Sequence, residues 1–219
     1  MKLSSAFYRN SDTVGLARSL IGKTLATHLP LYPDRPGSRR VLTSVRITET
    51  EAYVAPLDKA SHAFGNLRTR RTESMFAAGG IAYIYLCYGM HHLFNVVTGP
   101  EDVPHAILIR AGWPVTGLEH MRARALDAAS AAGDRSGSRK PRPGQAISAD
   151  GPGRLTRLLG IRTLHNGLTL CGDRIWLEDS GREIEEDAVL SLPRVGVAYA
   201  GEYAERPWRF KLINQKNSK

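Results

Sequence analysis

The sequence predicts an α+β fold: a single mixed domain around a curved antiparallel β-sheet, with flanking helices and a protruding β-hairpin. Three observations predict it. Strand-like and helix-like segments do not alternate in a βαβ rhythm, so a parallel sheet has no crossovers to build it. Two apolar runs, residues 81–87 and 93–97, flank a short tip and read as paired strands. The chain has 219 residues, 42% of them hydrophobic, which suits one full core, and it shows no internal repeat.

The elements follow in order. A helix is expected over residues 12–20, capped by Asp12, with Val14, Leu16, Ala17, Leu20 and Ile21 on its apolar face and Gly22 near its end. Residues 32–40 hold Pro33, Pro36 and Gly37 and read as loop. Residues 41–53 have strand composition and finish on an acidic pair. After the hairpin comes a short strand at 106–109, then a helix at 115–129 carried by Leu118, Met121, Ala125 and Leu126. Residues 130–149, rich in Gly, Ser, Pro and Arg, read as a flexible basic loop. Gly151 and Gly160 bracket a short helix, late strands are expected at 168–171, 175–178, 195–199 and 208–212, and residues 214–219 are expected to fray.

Composition narrows the partners. Thirty Lys and Arg against 21 Asp and Glu leave a formal charge of +9, which favours a polyanion. No apolar run approaches the ~18 residues of a membrane span, and the first residues lack a signal-peptide core. Two distant cysteines, Cys87 and Cys171, read as free thiols in a reducing compartment. The expectation is an intracellular, DNA-associated protein, in the cytoplasm or nucleoid if its source is bacterial.

Residues 47–111 hold the chemistry. Glu49 and Glu51 stand two apart, so they share one side of a strand, and Tyr53 continues that side. A carboxylate beside a stacking ring is a candidate general base toward water, although two glutamates also suit a solvated edge strand. His62 lies in a loop with no partner at a metal-binding offset, and His91 and His92 would point apart on a strand, so no metal is expected. Tyr83 and Tyr85 make a flat wall on one face of the hairpin, and Tyr88 sits where the chain turns. Hairpin tips are ordinarily polar. An exposed tyrosine beside Met90 suits a wedge pressed between base steps. Arg68, Thr69 and Arg71 offer contacts to phosphate, and Gly151-Pro152-Gly153-Arg154 either offers another or simply opens a helix. An acid, stacking surfaces and phosphate-seeking charge are the parts needed to act on a nucleobase drawn out of a duplex.

Five motifs occur in order: Glu49-Thr50-Glu51-Ala52-Tyr53, Ala60-Ser61-His62, Met75-Phe76, Tyr88-Gly89-Met90 and Gly151-Pro152-Gly153. In that order, and over residues 17–203, the chain resembles the alkyladenine (3-methyladenine) DNA glycosylase family that is not built on a helix-hairpin-helix. The resemblance implies a monofunctional enzyme that flips alkylated or deaminated purines out of duplex DNA and leaves an abasic site. It implies that Glu51 activates the attacking water, with Arg110 and the Val195 carbonyl as further water ligands. It implies a base pocket of Tyr53 and His62 on one side and Tyr85 on the other, with His62 bonded to the base edge. Asn95 would crowd the exocyclic amine of guanine, and Tyr88 would fill the vacated stack. No metal or cofactor is implied, and the partner is double-stranded DNA containing damaged purines, bound by a monomer away from any membrane. The chain departs from many relatives in having Arg70 and Thr72, rather than proline and asparagine, around Arg71. Two other readings fit the residues alone: a non-catalytic basic nucleic-acid-binding protein, and a metal-dependent nuclease using Glu49, Glu51 and His62. A chelator separates the nuclease from the glycosylase.

Overall fold

The computed structural model describes residues 1–131 and 147–213. Among them nine strands form one sheet in which every pairing is antiparallel: β1 (Thr24–Pro30), β2 (Arg40–Val54), β3 (Ala82–Cys87), β4 (His91–Thr98), β5 (His105–Thr116), β6 (Ala149–Asp150), β7 (Ile175–Glu178), β8 (Val189–Leu192) and β9 (Arg209–Leu212). The main path runs β3-β4-β5-β2-β1-β7, with β6 joined to β5, and β9 joined to both β2 and β8. Four helices accompany the sheet: α1 (Ser5–Tyr8), α2 (Thr13–Ser19), α3 (Leu118–Ala131) and α4 (Pro152–Leu159). No helix among the described residues is long and apolar enough to cross a membrane.

The two faces of the sheet differ. Ile84, Phe94, Val96, Ile107 and Ile109 join Leu16, Met121, Leu155 and Leu158 from the helices in the main core. Each such side chain fully removed from water contributes roughly 1.5–3 kcal/mol. Their neighbours along the strands, Tyr83, Val97 and Ala106, turn to the opposite face by the two-residue alternation of a strand. There they pack with Ala55, Ala63, Met75 and Phe76 in a second cluster. The helices thus cover one face, and the loop that carries His62 covers the other.

Local chemistry accounts for the elements. The Asp12 carboxylate caps α2 by accepting from the Gly15 N–H at 2.8 Å, and Gly160 ends α4 in the left-handed region at φ +74°. Arg124 of α3 is buried without a carboxylate. Its guanidinium donates to the carbonyls of Leu31, Pro30 and Leu158 and to the Thr43 hydroxyl, which ties α3 to the end of α4. Burial lowers its pKa to about 10.

Several expectations need correction. β1 and β8 were not foreseen, and β5 reaches from His105 to Thr116. Val115 and Thr116 therefore finish a strand, and α3 begins only after Gly117, whose added Cβ would lie 2.3 Å from the Leu42 carbonyl oxygen. Leu170 and Leu168 bond to Gly80 and Ala82, but the 168–171 segment makes a single bridge, Thr169 to Ile81, rather than a strand. Residues 195–199 are not a strand either: Gly196 turns the chain at φ +76° and a 3-10 helix (Ala198–Tyr203) follows. At the ends of the basic loop expected at 130–149, Ser130 belongs to α3 and Ala149 to β6. The centre of that loop, and the tail 214–219, lie outside the described residues.

Candidate active site

β2 and β5 build the site through paired irregularities. Ile47 pairs with Gly112, Glu49 with Ala111 and Thr50 with Ile109, so Thr48 and Arg110 are the unpaired residues of successive bulges. A bulge re-aims a side chain. Arg110 turns onto the face shared by Glu49, Glu51 and Tyr53, while Thr50 faces α2 and donates to the Ala17 carbonyl.

Glu51 is wholly buried. Its Oε2 accepts from the Tyr53 hydroxyl at 2.9 Å and from Arg110 Nη1 at 3.2 Å, and its Oε1 accepts from the Val195 N–H at 2.8 Å. A carboxylate offers about four lone-pair positions, so three donors leave one acceptor site, on Oε1. Glu49 holds Arg110 from behind: its Oε1 takes Arg110 Nε at 3.0 Å and Arg209 Nη1 at 3.2 Å. Burial works against the Arg110 charge, yet Glu51 and Glu49 outweigh it and raise its pKa. Burial, and then the Glu51 charge, raise the Tyr53 pKa well above 10, so its phenol stays a donor to Glu51.

Tyr53, Arg110 and Val195 also line a cavity of about 500 Å³, which places Glu51 directly behind its wall. Tyr83, Tyr85, His62, Arg71 and Asn95 line it too. The Tyr83 and Tyr85 rings lie 5.5 Å apart and tilted by 32°, while His62 meets Tyr85 edge to face at 4.6 Å. His62 Nδ1 lies 2.8 Å from the Tyr83 hydroxyl, and its Nε2 lies 3.1 Å from Arg71 Nη2. Burial, then the Arg71 charge, lower its pKa to about 4. A guanidinium can only donate, so Nε2 accepts and the proton rests on Nδ1, directed at Tyr83. Asn95 is buried, with Nδ2 donating to the Tyr83 carbonyl at 3.1 Å.

Two loops are pinned over this cavity by a buried ion pair. Arg194 Nη2 meets Asp58 Oδ1 at 2.8 Å, and both side chains are fully buried. Asp58 also accepts from the N–H groups of Val54 and Ala60, and Arg194 donates to the carbonyls of Ala52 and Tyr203. The pair therefore fixes Val195 at one side of the cavity and the His62 loop at the other. At the rim Tyr88 is 88% exposed on the β3–β4 turn, and Tyr199 is 72% exposed.

The sequence-derived site residues fall into two groups. Glu51, Arg110, Val195, Tyr53, His62, Tyr85 and Asn95 converge, with Tyr88 at the rim. Val195 also makes a contact that was not expected, its N–H donating to Glu51. Arg68 and Thr69 diverge, whereas Arg71 lines the cavity. Arg68 is engaged by Glu73 and Asp102, the Thr69 N–H donates to the Thr72 hydroxyl, and Arg71 lies across the cavity mouth on Tyr85. Asp58, Arg194 as an ion pair, Tyr83 as the His62 partner, and Tyr199 were missed. Among the described residues no three His, Cys, Asp or Glu side chains are close enough to hold a metal, so Glu49, Glu51 and His62 form no such cluster.

An acid set behind a cavity walled by flat rings is the layout of a hydrolase acting on N-glycosyl bonds. The chain belongs to the methylpurine-DNA glycosylase family, whose model matches residues 6–216. It is 40% identical to a Chlamydia abortus protein, over 98% of this chain and all of the relative. It is 43% identical to one from Anaeromyxobacter dehalogenans, over 97% of this chain and 84% of the relative. It is 37% identical to one from Bacillus cytotoxicus, over 98% and 97%. All three carry the provisional name 3-methyladenine DNA glycosylase. A DNA-3-methyladenine glycosylase, serving DNA repair, is the activity these likenesses support.

Proposed function

We propose that the chain acts as a one-domain monomer that flips a damaged purine from duplex DNA into the cavity and hydrolyses its glycosidic bond with a water activated by Glu51. The product is an abasic site in an uncut strand. The observation that carries this reading is the Glu51 carboxylate, saturated on Oε2 and left with one open acceptor position on Oε1, behind a wall of Tyr53, Arg110 and Val195. A water donating to Oε1 would be held by the carboxylate that takes its proton, while Arg110 and the Val195 carbonyl steer it. As the bond to the sugar breaks, the developing cation gains from the carboxylate beside it. The chemistry parallels an inverting glycosidase whose acid step is reduced, because N-alkylated purines are already cationic leaving groups.

Stacking on Tyr85, with Tyr53 and His62 opposite, favours electron-poor rings, and Asn95 restricts the base edge. Neutral deaminated purines need a donor at that edge. His62 supplies one only by passing its proton to Nε2, with the Tyr83 hydroxyl then donating to Nδ1. Tyr88 fills the gap in the stack. Thr69 and Arg71 meet the backbone, and Arg68 joins them by exchanging Glu73 and Asp102 for phosphate.

The test is Glu51→Gln on duplexes bearing 3-methyladenine or hypoxanthine in chelating buffer, read as heat-alkali breaks. Duplex binding is expected to persist while excision falls by roughly 10²–10⁴-fold. The amide faces donors on both sides, at a stability cost of about 1–3 kcal/mol, so melting is followed in parallel. Near-normal excision would remove Glu51 from the role.

A further inference from the structure

Among the described residues Arg71 is in no ion pair. Arg110 meets Glu49 and Glu51, Arg194 meets Asp58 and Arg68 meets Glu73 and Asp102. The Arg71 guanidinium instead lies over the Tyr85 ring, 4.9 Å from its centroid, and donates to His62 Nε2. Tyr85 and His62 are the rings between which the flipped base is read to lie. Their centroids are 4.6 Å apart, in edge-to-face contact, whereas an aromatic ring sandwiched between two others needs about 7 Å, two stacking spacings. Base entry therefore parts His62 from Tyr85 and clears the face that Arg71 covers.

We infer that Arg71 gates the base seat: a planar, delocalised cation resting on the Tyr85 face, which every incoming nucleobase must displace. This rests on the cavity being the base site. The exchange is unequal among bases. An N-alkylated purine is itself planar and cationic, so it replaces one cation–π contact with another. An undamaged purine is neutral and replaces that contact with ordinary stacking. A cation on a tyrosine face favours its seat by a factor of about 2 to 30, so Arg71 weakens the seating of every base by up to that factor, and the advantage of the cationic purine comes from its own charge on Tyr85. The guanidinium leaves the seat next to the nucleotide that entered, where the phosphates of the flipped residue can receive it. Lysine cannot replace it, because an ammonium lacks the planar fork that stacks and donates together.

Free base separates the seat from the backbone, because 3-methyladenine carries no phosphate. Calorimetric titration of Arg71→Ala with free 3-methyladenine is expected to show binding tighter than wild type by about 2- to 30-fold, with Arg71→Lys moving the same way to a smaller extent. The preference of Arg71→Ala for 7-methylguanine over unmodified guanine in duplex DNA should stay near that of wild type, because the displacement cost is common to both bases. Arg71 is exposed, so both variants are expected to melt like wild type. Free-base binding that is unchanged or weaker in Arg71→Ala overturns the inference and leaves Arg71 a phosphate contact, while excision by wild type keeps the glycosylase reading intact. A wild-type chain that releases no methylated purine overturns the glycosylase reading itself.

Discussion

Two histidines are held neutral for different ends, and both tie stability to pH. His62 and His165 each have a pKa lowered to about 4, in both cases first by burial and then by neighbouring arginines, Arg71 for one and Arg174 and Arg162 for the other. His165 is almost inaccessible, and its Nδ1 accepts from the Arg162 N–H at 3.0 Å, a bond that protonation breaks. An unfolded histidine takes its proton near pH 6.5, whereas these two resist until about pH 4. The unfolded state thus binds more protons across that window. Their contribution is whole above about pH 6.5 and is lost as pH falls toward 4. Urea unfolding is expected to show stability declining between pH 7 and pH 4.5. His165→Asn, which keeps an acceptor for Arg162 and cannot titrate, should flatten that decline by on the order of 1–3 kcal/mol. An equally steep decline in the variant would assign the slope to other groups. At this scale Glu51 was legible because a two-residue spacing makes a face with Tyr53. Asp58 and Arg194 were not, because 136 positions separate the members of their ion pair and neither stands in a pattern.

The β3–β4 hairpin shows an element shaped against its own preference. Tyr88 and Gly89 both have positive φ, +49° and +69°, and the Met90 N–H closes the turn on the Cys87 carbonyl at 3.1 Å. That is a type I′ turn, whose first central position favours Asn, Asp or Gly. A tyrosine there is strained and almost wholly exposed, so neither the turn nor the core explains it. Tyr88→Asn is expected to raise the melting midpoint by the equivalent of roughly 0.5–1 kcal/mol while lowering kcat/KM for lesion excision. A variant that gains stability at full activity would deny Tyr88 its role as the wedge. The hairpin was readable because alternating apolar residues flanked a glycine. Other elements were hidden by the residues that shape them. Gly112 and Pro114 interrupt the apolar pattern of β5, yet Gly112 sits where an added Cβ would lie 2.8 Å from the Arg46 carbonyl oxygen. Val195-Gly196-Val197 has strand composition, but the Gly196 turn is what brings the Val195 N–H to Glu51.

Across the whole molecule, β2 joins the candidate site to the core. One end pairs with β1, the other with β5 on one side and β9 on the other, and the same residues carry Glu49, Glu51 and Tyr53. The Ala52 N–H donates to the Trp208 carbonyl at 2.9 Å in the middle of this arrangement, and Ala52 itself is buried in the main core. Opening the backbone at Glu51 therefore requires separating β2 from β5 and β9 together, which dismantles the core between the sheet and α2. Native-state hydrogen exchange at the Ala52 amide is expected to report the global unfolding free energy. The Met90 amide at the hairpin tip and the Gly65 amide in the His62 loop should exchange by smaller openings. Ile109→Ala, at a fully buried core position of β5, should cost about 2–5 kcal/mol and lower the Ala52 protection by the same amount, leaving Met90 and Gly65 unmoved. If Ala52 exchanged as readily as Gly65, the carboxylate would stand on a unit that opens by itself. Its fixed hydrogen-bond count, and the single acceptor position left for water, would then describe only part of the population.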